Sequence, residues 1–382
     1  MLSRKDEFQR GWPVLLACAF GTGTGVAPLE AYSLGAFIEP LNRDFGWTRA
    51  QVAAAPFFFS IGTLIFGVAV GALADRLGPR PVVLWSQILL VTAFVSMGIV
   101  GGHYWTLYAG YFLLAAFGAG TLPMVWSRAV TGWFVRARGV ALGLSLVGTG
   151  LIGAALPLYV SWLVGIVGWR GAYAGLGLLT LVLGFPLALW AFHEPPGDAR
   201  ARAAEAAGAS VVPLAGMTYA EAVKTPCFWQ MTLSFFLAAF GIGGAMIHFL
   251  PLLTDRGIET AAAAALVGLM GIAVTAGRLV SGFLLDLIGG PKVAFVMFMG
   301  PAVACVLLLY SGAGYAACGT AIVLMGLAAG AEHDVAGYLS AQIFGRLNYA
   351  AIYGTIYAVY GIGAGIGEIG RASCRERVYV LV

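Results

Sequence analysis

The sequence predicts an all-α integral membrane protein made of two homologous six-helix bundles, here with about eleven spans and the twelfth helix missing. Three observations carry this. Hydrophobic residues make up 60% of the 382 and charged residues 10%, with mean hydropathy +0.90, whereas about a quarter of a soluble domain is charged. Apolar runs of about 20 residues, enough to cross a hydrocarbon core, recur along the chain. The polar string Gly71-Ala72-Leu73-Ala74-Asp75-Arg76-Leu77-Gly78-Pro79-Arg80-Pro81 has a weaker copy from Gly282 to Lys292, in which Gly71, Asp75 and Gly78 return as Gly282, Asp286 and Gly289 at an offset of 211.

Six runs are expected in the first half, at roughly 12–38, 52–73, 82–100, 104–126, 140–164 and 172–192. Pro195 and Pro196 stop the sixth, because proline removes a donor and clashes with the preceding turn. Residues 194–226 then read as a cytoplasmic linker, with a short surface helix expected at Tyr219 to Lys224. Five runs follow, at roughly 228–253, 261–285, 293–310, 315–335 and 350–367. The division is thus 1–193 for the first bundle, 194–226 for the linker and 227–367 for an incomplete second bundle. Residues 368–382 turn abruptly charged and resemble the conceptual translation of a sequencing adapter, so a non-native tail is expected there. Pro40, Leu41, Asp44 and Gly46 return as Pro251, Leu252, Asp255 and Gly257, again at 211, which extends the duplication beyond one motif.

Several functions fall away. A net charge of +4, scattered along the chain, offers nucleic acid no patch. The start, Met1 to Arg10, is polar and the run after it is too long for a cleavable signal core. Cys18, Cys227, Cys305, Cys318 and Cys374 lack metal-ligand spacing, so neither metal nor cofactor is expected. Gly148 to Gly153 fits a dinucleotide fingerprint by letter, but inside an apolar helix it reads as close helix packing. No nucleophile and base cluster toward one site, which argues against an enzyme. With the amino terminus in the cytoplasm, twelve Lys and Arg fall in inside segments and four outside, the asymmetry that sets orientation.

The Gly71–Pro81 string resembles the signature loop between helices 2 and 3 of the major facilitator superfamily, matching at Gly71, Leu73, Asp75, Arg76, Gly78 and Arg80. Phe45-Gly46-Trp47-Thr48, Trp133-Phe134 with Arg136, Arg138 and Gly139, and Gly277-Arg278 narrow the likeness to the oxalate/formate antiporter and monocarboxylate transporter branch. The resemblance implies that the loop latches the two halves on the cytoplasmic side. The residues themselves allow Asp75 to cap a helix amino terminus or to pair with an arginine, and equally allow a loop that only sets topology.

Ionisable residues deep in a span are expensive and mark candidate sites. Arg278 lies eight residues before Asp286, about 12 Å from that end at 1.5 Å per residue, hence near the midplane. Its planar fork suits a carboxylate, or an internal ion pair. The resemblance adds that anion carriers of this branch use an arginine here. Three departures stand out: Val274 replaces an aspartate one turn earlier, no basic residue lies between Arg10 and Arg43, and none lies in 353–367. A monoanion, or a substrate recognised largely by apolar contacts, therefore fits better than oxalate. Glu30, about 15 Å deep, offsets Arg278 or carries a proton; His248 is a wall residue or a binding residue. Glu332-His333-Asp334 is the densest polar cluster in a run. Its carboxylates point to nearly opposite faces at about 100° per residue, and a gate of Asp334 with Arg346 or the Asp286 loop is expected, with Glu332 beside it.

The expected function is secondary transport of a small monocarboxylate-like anion by alternating access, proton-coupled or by exchange, in a monomer in a bacterial inner membrane. A carrier of an uncharged or cationic solute, or a non-transporting membrane sensor, remains the alternative.

Overall fold

The computed structural model describes residues 3–195, 197–198, 215–309 and 314–379, less the side chains of 247, 248, 250, 251, 255, 260, 261, 264 and 368–379. Among the described residues, eleven helices cross the bundle in series. Spans 1 to 4 are Arg4–Phe45, Arg49–Leu77, Pro79–Ile99 and Tyr104–Trp133. Spans 5 and 6 form one stretch, Arg138–Ala191, that folds back at Gly168 (φ 72°, ψ 173°), a conformation open to glycine. They occupy 138–167 and 169–191. Spans 7 to 11 are Pro226–Asp255, Thr260–Ile288, Gly290–Leu309, Tyr315–Ile343 and Tyr349–Tyr379. The expected surface helix, Tyr219–Lys224, forms with a Thr218/Glu221 capping box.

Two expectations need correcting. Span 1 runs beyond Ile38, through Pro40, to Phe45. Proline fits helical φ and forfeits only one donor, so the effective stop is Gly46, left-handed at φ 69°, after which Thr48 caps span 2 with Gln51. The backbone of span 11 also continues past Gly367 to Tyr379.

Spans 1, 4 and 6 are each irregular: span 1 breaks at Thr24 and Gly25, span 4 tightens to a 3₁₀ turn at Ala119–Thr121, and span 6 loosens to a π turn at Thr180–Gly184. These irregularities meet. Thr121 Oγ1 accepts from the Val26 amide at 3.0 Å, and Thr180 Oγ1 donates to the Thr24 carbonyl at 2.8 Å. Hydroxyls thus satisfy backbone groups that a broken helix would strand in lipid.

The halves meet where span 2 packs on span 11 and span 5 on span 8, a reciprocal exchange under the repeat. On the outer face of the first half, span 6 seats against Thr24, Arg80 and Gln87. At the 211 offset these become Phe235, Pro291 and Phe298, which line an apolar groove of about 630 Å³ among spans 7, 9 and 10. A second cavity of about 340 Å³, bordered by Phe249, Leu252 and Leu308, lies among the same spans.

Gly148 shows how tightly spans 1 and 5 approach: an added Cβ would overlap the Ala19 backbone carbonyl, whereas at Gly35 it would meet nothing within 4 Å. Gly148→Ala is expected to lower stability by about 1–3 kcal/mol through overpacking, and Gly35→Ala to raise it by about 0.5–1 kcal/mol. Thermal unfolding of the two purified variants in detergent checks the contrast.

Candidate functional site

Two polar assemblies stand out, one where the basic loops gather and one deep among the helices. At the basic end, Asp75 closes span 2 and reaches the first turn of span 11. Its Oδ1 accepts from the Ala350 amide at 3.1 Å and its Oδ2 from Ala351 at 2.9 Å. A carboxylate on a helix amino end meets free donors and the positive end of the dipole. The close approach is set by Gly71, where a Cβ would lie 2.8 Å from the Ala350 carbonyl carbon. Gly78, at φ 92° and ψ 155°, turns the chain from span 2 to span 3.

The second copy does the same in reverse. Asp286 accepts from Gly139 N at 2.7 Å and Val140 N at 3.2 Å, at the amino end of span 5, and Gly289 (φ 86°, ψ 158°) turns as Gly78 does. The acceptors differ by 211 and so do the donors: 139 and 140 become 350 and 351. Each half thus caps a helix of the other with the same residue at the same register.

Arg128 makes the first copy stronger. Its Nη1 lies 3.0 Å from Asp75 Oδ1, with both side chains at most 4% exposed, and it donates to the carbonyls of Ala74, Asp75 and Arg346. One guanidinium therefore joins span 2, span 4 and the loop between spans 10 and 11. Both described ends of the linker grip that same loop. Asp198 pairs with Arg346, the Arg346 amide donates to Ala215 O at 3.0 Å, the Met217 amide donates to Phe344 O at 2.8 Å, and the Tyr219 amide donates to Asn348 Oδ1 at 3.1 Å. In the first half, Glu7 accepts from the amides of Val135, Arg136 and Ala137 ahead of span 5.

The deep assembly centres on Arg278, 8% exposed. Glycines at 277 and 330 bring spans 8 and 10 into backbone contact, Gly330 facing Val274 O. This sets Arg278 within electrostatic reach of Glu332, His333 and Asp334. Glu332 is 1% and Asp334 0% exposed. Asp334 Oδ2 accepts from Ser281 at 3.2 Å, while Glu332 Oε2 accepts from Tyr360 at 2.6 Å. His333 lies edge-on to the rings of Tyr357 and Tyr360, with centroids at 5.2 and 5.0 Å. Arg278 Nε and Nη1, Glu332 Oε1, His333 Nδ1 and Asp334 Oδ1 are buried without hydrogen-bond partners. Glu332, His333, Phe235 and Tyr353, Tyr357 and Tyr360 of span 11 enclose a cavity of about 10 Å³, room for roughly one water.

The expected site residues divide accordingly. Asp75, Gly71, Gly78 and Asp286 come together at the interface of the halves. Arg80 instead donates to Leu189 O at 2.9 Å within its own half, and Arg76 is exposed. The expected gate of Asp334 with Arg346 or the Asp286 loop is not seen among the described residues. Span 10 turns Asp334 toward Ser281 of span 8, and Arg346, beyond the end of that span, takes Asp198. Glu332 faces span 11 and Arg278 rather than the basic loops. Glu30 is buried in span 1, within electrostatic reach of Tyr111, Tyr173 and Tyr357. The His248 side chain lies outside the described residues. The sequence alone marks Arg128, near the end of span 4, as a gate and topology residue rather than a substrate ligand and names no partner for it; it does not single out Ser281 or the span 11 tyrosines. A Tyr stripe at 349, 353, 357 and 360 was the signal available in the sequence. Among the described residues, no group of three or more His, Cys, Asp and Glu can hold a metal.

Residues 17–368 match the Major Facilitator Superfamily. Monocarboxylate transporter 13 of Bos taurus is 27% identical over 376 residues, spanning 94% of this chain and 80% of that protein. Monocarboxylate transporter 11 of Homo sapiens is 30% identical over 290 residues, 72% of this chain and 57% of that protein. In fold, the chain is similar to the proton:xylose symporter XylE bound to 6-bromo-6-deoxy-D-glucose, with TM-score 0.71, 14% identity, and 98% of this chain and 90% of that one covered.

Removing one partner of a buried ion pair leaves the other charge uncompensated, at a cost of about 3–5 kcal/mol. Asp75→Asn is therefore expected to favour states open at the basic end. A single cysteine at Ser127, buried beside Arg128, should then react faster with a thiol reagent in a cysteine-free background. Asp286→Asn should accelerate it less, since it strands no fully buried arginine. Rates equal to the parent in both would rule out a latch.

Proposed function

The chain belongs to the major facilitator superfamily, and from that premise we propose that it carries a small monocarboxylate-like anion by alternating access, with Arg278 holding the carboxylate. Membership makes it an integral membrane secondary transporter, not an enzyme. The anion reading is carried by one observation: a buried guanidinium whose Nε and Nη1 are unpartnered, at the junction of spans 5, 8 and 10, where the Arg278 carbonyl lies against Gly143. A buried arginine with two N–H donors that meet no protein acceptor suits an anionic ligand, because an unmet buried donor costs about 1–3 kcal/mol, more when charged. The relatives named for monocarboxylates support that choice of acceptor.

In this mechanism the anion enters between the halves, takes the Arg278 fork, and is released after the halves rock. The reciprocal caps of Asp75 and Asp286 hold the basic end shut in one state and separate in the other. Glu30 lines the path from the first half, facing Tyr357 of span 11. The basic end lies in the cytoplasm, which follows from the excess of Lys and Arg there. The buried carboxylates of Glu332 and Asp334 favour a second reading, a carrier of an uncharged or cationic solute whose Arg278 is neutralised internally.

The two readings part on one substitution. Arg278→Lys keeps the charge but loses the fork, and Arg278→Ala loses both. Under the anion reading, counterflow of labelled lactate or pyruvate in proteoliposomes falls at least about tenfold in Arg278→Lys, the worth of about 1.4 kcal/mol in binding, and disappears in Arg278→Ala. No lactate or pyruvate counterflow by wild type, together with counterflow of an uncharged or cationic solute that persists in Arg278→Ala, would favour the second reading.

A further inference from the structure

We propose that Glu332 is the proton-binding residue of this carrier, and that Tyr360 is the positioning residue that ties its state to span 11. The inference rests on the anion reading of Arg278 and adds to it the residue that takes the proton.

The argument is one of charge. Around Arg278 stand two buried carboxylates, Glu332 and Asp334, both within its electrostatic reach. With both ionised, one cation against two carboxylates would leave the site one negative charge in excess. Adding a monocarboxylate would make the excess two, in an enclosed region where like charges are weakly screened. The anion must therefore arrive with one proton, which converts one carboxylate to a neutral carboxyl.

Geometry selects which carboxylate takes it. Asp334 does not border the cavity; it is held by Ser281, one turn along span 8 from Arg278. Held by Ser281 and within electrostatic reach of Arg278, it is the carboxylate left ionised as the counter-ion in this proposal. Glu332 does border the cavity, and its two oxygens differ. Oε2 accepts from Tyr360 at 2.6 Å, while Oε1 is buried with no hydrogen-bond partner. The proton adds at Oε1, the Glu332 carboxylate becomes a carboxyl, and Arg278 turns to the incoming anion. On release the same O–H bond breaks and the proton leaves with the anion, so each cycle moves one anion and one proton.

The surroundings of Glu332 bear this out group by group. Span 8 presents Arg278, its own span His333 and Asp334, span 11 Tyr353, Tyr357 and Tyr360, and span 7 Phe235. Glu30 of span 1 reaches Tyr357 from across the interface. The charges of spans 4, 5 and 9, Arg128, Arg138 and Lys292, sit at or next to the basic end. Span 11 also supplies the Ala350 and Ala351 amides that Asp75 holds. A change at the Glu332–Tyr360 bond is thus applied to the helix that carries the latch.

The test is binding and counterflow of labelled lactate and pyruvate by the full chain in proteoliposomes, as a function of pH. Wild type should lose about tenfold in affinity per pH unit on the alkaline side, the slope of one linked proton. Glu332→Gln should flatten that slope to less than twofold, keep exchange, and lose accumulation driven by a pH gradient. Asp334→Asn and Glu30→Gln should keep the slope. Tyr360→Phe, which removes the donor favouring the carboxylate, should move the midpoint to higher pH without abolishing binding, and it decides the matter if Glu332→Gln does not fold. Arg278-dependent binding with an unchanged slope in Glu332→Gln, or a slope lost in Asp334→Asn or Glu30→Gln instead, overturns this proposal and leaves the anion reading intact. Absence of any monocarboxylate binding by wild type overturns both.

Discussion

A carboxylate set against the amino end of a helix from the opposite half is the contact on which the closed basic end depends. The donors are backbone amides that a helix leaves unmatched in its first turn, so the acceptor satisfies groups that would otherwise need water. The same contact fixes geometry. Each carboxylate bridges two successive amides, which defines where span 2 meets span 11 and where span 8 meets span 5. The buried Asp75–Arg128 pair adds specificity more than stability, since desolvation offsets much of the attraction. Its further role is to bind the span 10–11 loop, and through Arg346 and Asp198 the linker, to the same point.

Span 11 joins the two assemblies. Its first turn is held by Asp75, its Tyr353 hydroxyl donates to the His333 carbonyl at 2.9 Å, and its Tyr360 hydroxyl meets Glu332. Tyr349, Tyr353, Tyr357 and Tyr360 form a run of ring contacts between these points. A packed aromatic run on one helix is stiff, because rings have few torsions to absorb strain. Span 11 thus touches both the clasp at its first turn and the buried polar assembly further along it.

Much of this was legible in the residues. The repeat at 211 and the series of spanning runs follow from residue spacing, which sequence reports directly. What Asp75 caps was narrowed to two kinds of partner, and the structure supplies both at once: the amides of span 11 and the guanidinium of Arg128. Such partners are brought together by tertiary packing across 53 and 275 residues, and nothing in local pattern encodes them. Helical geometry placed Glu332 and Asp334 on opposite faces, but not which neighbour each face meets. Asp334 therefore went to Ser281 rather than Arg346. Span 1 outruns the expected end at Ile38 because a membrane helix tolerates the single hydrogen bond lost at Pro40.

The reciprocity of the two caps has a meaning beyond gating. When residue i of one unit touches residue j of another, and j' touches i' in return, the contact is that of a two-fold symmetric dimer. Asp75 with 350–351 and Asp286 with 139–140 keep that relation inside one polypeptide. The interface thus has the form of a homodimer of a half-length ancestor, preserved through fusion, while Arg128 has no counterpart, its equivalent at 211 being Leu339. Among the described residues, only one of the two equivalent clasps is reinforced by a buried ion pair, so contacts related by the repeat differ in strength.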